Sequence, residues 1–175
     1  MNYTIEHIDD IYILYNNQGK HDKIYIVLVC RSDEWPEQWY VKGLYRPRTR
    51  AKYNLSEISQ KFVKELAKHS ALGMVDEKLR KGYRVIADDK LNTYLGFPST
   101  KSALALELQN LISGGTNSPD VKLDEYECVD DLGMQGQFIP GMRYMGKLDD
   151  SGVLHMVNDN NKSVIIPFKE NFQKV

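Results

Sequence analysis

The sequence has few of the features that mark secreted, disulfide-bonded or membrane-spanning proteins. Its 175 residues include only two cysteines, Cys30 and Cys128, which lie far apart and outside any CxxC spacing. This pattern excludes a disulfide framework and a zinc-finger site, and it predicts two buried free thiols. No apolar run approaches the roughly 18 residues that a membrane span needs, and the first residues lack a secretory signal. We therefore expect a cytoplasmic protein that does not span a membrane.

The motifs of common catalytic and cofactor sites are also missing. The four histidines show no HxH, HxxxH or HExxH spacing, so no metal site is predicted. Neither a P-loop nor a GxGxxG turn occurs, and the GxSxG frame of a serine nucleophile is absent. Adjacent acidic pairs such as Asp9–Asp10 suit turns, because neighbours in an extended chain point to opposite faces. We expect no enzymatic activity, no catalytic residue and no cofactor.

The composition is that of a globular chain with an uneven distribution of charge. Hydrophobic residues make up 42% of the chain and charged residues 27%, which suffices for the core of one large or two small domains. The net charge is only −1, but residues 42–86 hold 12 basic and 4 acidic residues. Residues 120–131, in contrast, hold six acids and one lysine. A polyanion would therefore meet the first half of the chain.

The first half of the chain predicts an antiparallel sheet. Residues 11–16 and 23–30 are rich in Ile, Val, Leu and Tyr, and the turn residues between them predict a β-hairpin. The second of these strands has apolar residues at both its even-numbered and its odd-numbered positions. Both of its faces should therefore be covered. A further strand begins at Trp39, whereas residues 56–67 fit either a helix or a short strand. We leave both possibilities open for that segment.

A helix that covers this sheet is predicted over residues 70–81. The apolar spacing from Ser70 onward is helical, and Gly82 stands where a left-handed residue commonly ends a helix. If the helix lies across the doubly apolar strand, it should bury Leu72, Val75 and Leu79. Tyr83–Ile86 would then return as another strand.

The second half predicts a short helix followed by several short strands. A leucine-rich helix over about 99–113 can be capped by Ser99 or Thr100, and two glycines follow it. Four or five short strands after residue 120 indicate a small barrel or a curled sheet. The sequence thus predicts an α+β chain whose boundary lies within 87–124. Its parts are a mixed domain over 1–90, a connector over 91–120 and an all-β module over 121–175.

Residues 23–86 resemble the WGR-like domain. The similarity lies in an apolar strand (KIYIVLV), a strand that ends in a basic turn (WYVKGLYRPRTR), and a helix that ends in EKLRKGYRVI. Where the family carries Trp-Gly-Arg, this chain carries Leu44-Tyr45-Arg46. In several WGR-containing proteins the domain contacts nucleic acid or neighbouring domains. The resemblance therefore implies an antiparallel sheet with a covering helix and a binding surface.

Residues 125–175 look similar to the SH3-like modules of small phage and mobile-element proteins. Glycines and aromatics recur in a strand-G-F-xx-G-xx-Y opening, and the chain closes with PFKENFQKV. The opening is formed by Gly136, Phe138, Gly141 and Tyr144. The resemblance implies a small SH3-like β-barrel and a phage or mobile-element origin, in which case the cytoplasm would be that of the host.

One candidate binding surface is the basic stretch over residues 42–52, where aromatic residues are interleaved with cations. Lysine and arginine neutralise phosphates, and exposed aromatic rings stack on unpaired bases, so the stretch suits nucleic acid. A solvated edge strand, whose charges prevent sheet association, and a protein contact are the alternatives. The candidate nucleic-acid-binding residues are Lys42, Tyr45, Arg46, Arg48, Arg50 and Lys52.

A second candidate surface is the acidic stretch over residues 120–131. It could mimic a phosphate backbone, dock a basic protein surface, or simply form a soluble loop and strand face. The candidate protein-binding residues are Asp124, Glu125, Glu127, Asp130 and Asp131. The leading hypothesis is thus an accessory protein that contacts DNA or RNA through its basic turn. The alternatives are a modulator or inhibitor of a host or partner protein that acts through the C-terminal module, and a structural adaptor.

Overall fold

A computed structural model of the chain describes residues 5–96, 100–116, 122–160, 162–167 and 169–175. In these residues the strands form two separate five-stranded antiparallel sheets, which agrees with the predicted α+β class. The strands are β1 (Glu6–Asn16), β2 (Lys23–Ser32), β3 (Trp35–Pro47), β4 (Asn54–Ile58), β5 (Arg84–Val85), β6 (Asp124–Cys128), β7 (Arg143–Leu148), β8 (Leu154–Val157), β9 (Ser163–Ile165) and β10 (Phe172–Lys174). The α-helices are α1 (Lys64–Arg80), α2 (Leu91–Leu95) and α3 (Lys101–Ile112). No helix in the described ranges is long and apolar enough to cross a membrane.

The chain divides into two compact units, each assembled from three separate stretches. The first contains the described parts of Met1–Pro47, Lys52–Ile86 and Ala105–Pro119. The second contains the described parts of Arg48–Ala51, Ala87–Leu104 and Asp120–Val175. The limits 1–90, 91–120 and 121–175 stay a prediction, because compactness alone does not show that a fragment folds independently.

The first unit is built on a sheet with the strand order β4-β3-β2-β1-β5. The central strand β2 is buried without interruption from Ile24 to Cys30, because its apolar side chains alternate between two covered faces. The predicted hairpin and the returning strand are confirmed, since β1 pairs with β2 and with β5. Residues 56–67, whose sequence fits either a helix or a strand, contain the last part of β4 and the first turn of α1.

Helix α1 covers one face of this sheet, as predicted, although it does so through small residues. Its buried side chains are Ala67, Ala71 and Val75, which recur every four residues. The predicted burial of Leu72 and Leu79 is wrong, since both side chains are more than two-fifths exposed. The helix starts earlier than predicted and packs through its alanines, so the leucines turn toward solvent.

The last turns of α3 pack on the face of the first sheet that lies opposite to α1. Leu108 is fully buried, and Leu111 and Ile112 share a groove with Leu44 of β3. The predicted helix is confirmed within its described residues, and the hydroxyl of Thr100 caps it by accepting the Ala103 N–H. Ser99, the other candidate cap, lies outside the described residues.

The second unit is built on a sheet with the strand order β10-β6-β7-β8-β9. The predicted series of short strands is therefore confirmed. Its core contains an aromatic cluster in which the Phe138 ring meets Tyr144 and Phe172 edge to face, at 5.1 and 5.0 Å. Such contacts stabilise a core beyond the burial of their area. The predicted burial of both thiols is also confirmed, with Cys128 in this core and Cys30 in the first unit.

Candidate functional site

The basic stretch does not form one exposed surface, because its side chains differ widely in burial. Arg46 is 0% exposed, and its guanidinium lies 5.2 Å from the centre of the Tyr53 ring. Burial raises the pKa of the Tyr53 hydroxyl above its usual value, and the positive charge of the Arg46 guanidinium opposes this shift only in part. The prediction that Arg46 lies on an exposed binding surface is therefore wrong, because the pleat directs it into the first unit.

Arg48 belongs to the second unit, where it binds a residue of the predicted acidic surface. Its two terminal nitrogens donate to the two carboxylate oxygens of Glu125, at 2.9 and 3.3 Å. The side chain of Arg48 is 12% exposed and that of Glu125 is 20% exposed. A bidentate, largely buried ion pair of this kind fixes the orientation of both side chains. It leaves little of either charged group accessible to a partner.

The remaining members of the basic stretch are scattered. Lys42 lies beside the Tyr40 ring at 5.6 Å, and Tyr45 packs against the face that α1 covers. Arg50 is partly buried in the second unit, whereas Lys52 in the first unit is exposed. The six predicted residues thus include one exposed cation, and they do not form a continuous basic patch.

The strand part of the predicted acidic surface is neutralised by cations of the second unit. Asp124 lies between Lys122 at 3.6 Å and Lys174 at 3.0 Å. The hydrogen bond to Asp124 raises the pKa of the Lys174 ammonium. Arg143 lies 3.8 Å from both Glu125 and Glu127. The two faces of β6 therefore carry pairs of opposite charge instead of an acidic patch.

The acidic residues after β6 are placed differently. Asp130 and Asp131 follow Val129 in the loop that joins β6 to β7, and Asp130 accepts the N–H of Leu132 at 2.9 Å in a turn. Burial raises the pKa of the Cys128 thiol, and the carboxylates of Asp131, Asp130 and Asp159 raise it further. Asp120, at the start of the acidic stretch, lies outside the described residues.

The same loop presents three large apolar side chains to solvent. We call residues 129–141 the β6–β7 loop. Val129 is 55% exposed, Leu132 67% and Ile139 54%. An exposed apolar patch bordered by polar residues is typical of a contact surface.

The β6–β7 loop is held in place by buried anchors and hydrogen bonds. Met134 and Phe138 are buried in the core of the unit. The Asn171 carbonyl accepts the Val129 N–H at 2.8 Å, and the Asn171 amide donates to the Leu132 carbonyl at 2.9 Å. One asparagine therefore fixes the backbone of the loop at both Val129 and Leu132.

The other end of the loop is fixed by Tyr144. Its hydroxyl accepts the Ile139 N–H at 3.0 Å and donates to Asp159 at 2.6 Å. Burial and the bond to Asp159 raise the pKa of the Tyr144 hydroxyl. The N–H of Gly141 bonds the Cys128 carbonyl at 2.7 Å, which brings the Ile139 end of the loop back to its start.

Sequence reasoning missed Val129, Leu132 and Ile139 because it read the loop as a connection between two strands. The usable signal was the placement of apolar residues in a segment rich in aspartate and glycine, where a solvated turn does not need them. Within the described parts of the chain, no group of three or more His, Cys, Asp or Glu side chains could hold a metal ion.

Comparison of the chain with known protein families, with curated proteins and with solved structures finds no match.

Proposed function

We propose that this protein is a non-catalytic binding protein that captures a partner protein through the β6–β7 loop of its second unit. The observation that carries the proposal is the exposure of Val129, Leu132 and Ile139 on a loop that is otherwise firmly anchored. A pre-ordered loop loses little conformational entropy on binding, so its apolar side chains can contribute most of their burial to affinity.

The partner should combine apolar and basic side chains. Asp130 is exposed and Asp131 partly so near the start of the loop, and the exposed Asp159 accepts the Tyr144 hydroxyl at its other end. Carboxylates at the rim of an apolar patch accelerate association with a cationic surface and disfavour anionic ones. Asp130 and Asp131, after β6, are thus proposed as contact residues. The acidic residues within β6 form internal ion pairs instead.

We also propose a fold relationship for each of the two sheets. The first sheet with its covering helix is compatible with a diverged WGR-like domain, and the second sheet with an SH3-like module. Two buried free thiols support a reducing compartment such as the cytoplasm.

A capture experiment tests the proposal against the nucleic-acid hypothesis. Immobilised full-length protein is incubated with lysate of its native cell, with and without nuclease, and the bound fraction is identified. We expect one dominant protein whose capture resists nuclease and falls at least tenfold for Leu132→Asp. Leu148→Asp is the matched control, because Leu148 belongs to the same unit, is 48% exposed and lies outside the loop.

Two results would contradict the proposal. If nuclease treatment and the Lys52→Ala substitution each abolish capture of the bound fraction, the partner is a nucleic acid. Capture that Leu132→Asp and Leu148→Asp reduce equally would show that the β6–β7 loop is not the contact.

A further inference from the structure

We propose a second binding site, on the first unit, where the edge of β4 and an adjoining apolar groove take up an extended peptide segment of a partner protein. The peptide would carry a large apolar side chain and a nearby carboxylate. This site shares no residue with the β6–β7 loop and does not depend on the function proposed for that loop.

The edge of β4 determines the shape of the ligand. β4 is the outermost strand on its side of the sheet, and among the described residues no strand pairs with its outer edge. Alternate N–H and C=O groups of an edge strand point away from the sheet, where they can pair with another extended backbone. An added strand would gain main-chain hydrogen bonds along β4, and pockets beside the edge would select its side chains.

A bulge in β4 places two of its apolar side chains on one face. Opposite Cα partners are Lys42 with Ile58 and Leu44 with Leu55, and the register shifts between these pairs. Directly opposed residues of an antiparallel pair share a face, so Leu55 and Ile58 both lie on the face of Lys42 and Leu44. Without the shift, residues three apart would point to opposite faces.

Both of these side chains are incompletely covered. Leu55 is 54% exposed and Ile58 is 58% exposed, although they lie on a face that is buried elsewhere in the sheet. They are therefore positioned to pack against a strand added at the edge.

A groove beside the edge determines the side chain that the peptide would insert. Its volume is about 280 Å³, and its apolar walls come from β3, β4 and the end of α3. The lining side chains include Leu44, Tyr53, Leu55, Leu111 and Ile112. Drug-sized and cofactor pockets start at about 300 Å³, so this groove fits one bulky apolar side chain better than a cofactor.

Lys42 determines the charge of the ligand. It is the cation that lines the groove, and it lies on the same face as Leu44 and Leu55. Its alkyl stem can contact the inserted side chain while its ammonium faces a carboxylate. An acidic residue next to the apolar anchor, or the carboxyl terminus of the peptide, supplies that charge.

A peptide selection tests this site directly. A displayed library of random decapeptides is panned on the immobilised full-length protein, and enriched peptides are synthesised and measured by fluorescence anisotropy. We expect peptides with a bulky apolar residue beside an acidic one, and we expect bound peptide to slow hydrogen exchange of the backbone amides of residues 54–58.

Variants separate the groove from other surfaces. Leu55→Asp should weaken binding at least tenfold, and Lys42→Glu should favour basic over acidic peptides. Leu79→Asp is the matched control in the same unit, because Leu79 is 41% exposed and lies on α1. Leu132→Asp should leave peptide affinity unchanged, so failure of this site and failure of the β6–β7 loop are distinguishable. Circular dichroism verifies that each variant is folded.

Three outcomes would overturn the proposal. The first is a selection without enrichment. The second is enriched peptides that bind Leu55→Asp as tightly as the unchanged protein, or that leave the amides of β4 unprotected. The third is a dimer in sedimentation that Leu55→Asp dissociates, which would show that a second copy occupies the edge.

Discussion

The guanidinium of Arg48 illustrates how a side chain that suggested nucleic acid instead serves the internal structure. It bonds both oxygens of Glu125 and also approaches the sulfur of Met145 at 3.4 Å. Removing one member of a largely buried ion pair leaves the other charge desolvated, which costs more than the pair itself contributes. At the residue scale, Arg48 and Glu125 therefore bind each other within the second unit, and little of either charged group is exposed.

We expect Arg48→Ala to lower the free energy of unfolding by about 2–3 kcal/mol, because it removes a charge-assisted pair and leaves Glu125 desolvated. Arg143→Ala is the matched control, since Arg143 is 52% exposed and 3.8 Å from the same carboxylate. It should cost less than about 1 kcal/mol. Arg48→Lys should restore only part of the loss, because lysine cannot bond both oxygens in one plane. Urea denaturation measures all three, and equal values for the two alanine variants would refute this role.

At the scale of a single element, α1 shows that small residues decide which face of a helix is buried. Ala67 and Ala71 are fully buried, and Gly43 of β3 faces the helix. A Cβ at Gly43 would collide with the Tyr25 hydroxyl and lie 3.3 Å from the Met74 methyl. The helix therefore packs close to the sheet, and larger residues at these positions would push it away.

We expect Leu79→Asp to change the free energy of unfolding by less than about 1 kcal/mol, because the side chain already contacts solvent. Ala71→Asp should cost more than about 3 kcal/mol, because it places a charge in the core between α1 and the sheet. Thermal unfolding of both variants, followed by circular dichroism, checks this difference. A larger loss for Leu79→Asp would mean that the helix is rotated from the orientation described.

At the scale of the whole molecule, the two compact units do not correspond to two continuous halves of the chain. The first unit includes residues after 104, and the second includes Arg48–Ala51. Leu108, Leu111 and Ile112 therefore complete a unit whose strands all come from residues 6–85. A cut near residue 90 would remove them and expose apolar surface of the first sheet.

We expect a fragment of residues 1–90 not to fold on its own. It lacks the leucine-rich part of α3, and its Arg48 loses Glu125. Its amide spectrum should be poorly dispersed, and its thermal transition should be broad or absent. A fragment of residues 1–116 is the control, because it restores the described residues of the first unit. Cooperative unfolding of the 1–90 fragment would show that the first predicted domain is independent.

The sequence by itself determined the local elements of this protein. Apolar residues at both even and odd positions predicted that β2 is covered on both faces. A capped, leucine-rich segment predicted α3. Short strands between glycine-rich turns predicted the second sheet. These features depend on neighbours within a few positions, so backbone geometry and periodicity suffice to infer them.

The tertiary structure alone decided which of these residues meet solvent. Arg48 and Glu125 are 77 positions apart, so no local pattern could reveal that two candidate binding residues would neutralise each other. The backbone carbonyl of Leu132, whose side chain is exposed, accepts a hydrogen bond from Asn171, 39 positions later in the chain. Burial depends on contacts between distant segments, and periodicity reports only which residues share a face. The strands and helices could thus be read from the sequence, whereas the surface on which the proposed function rests could not.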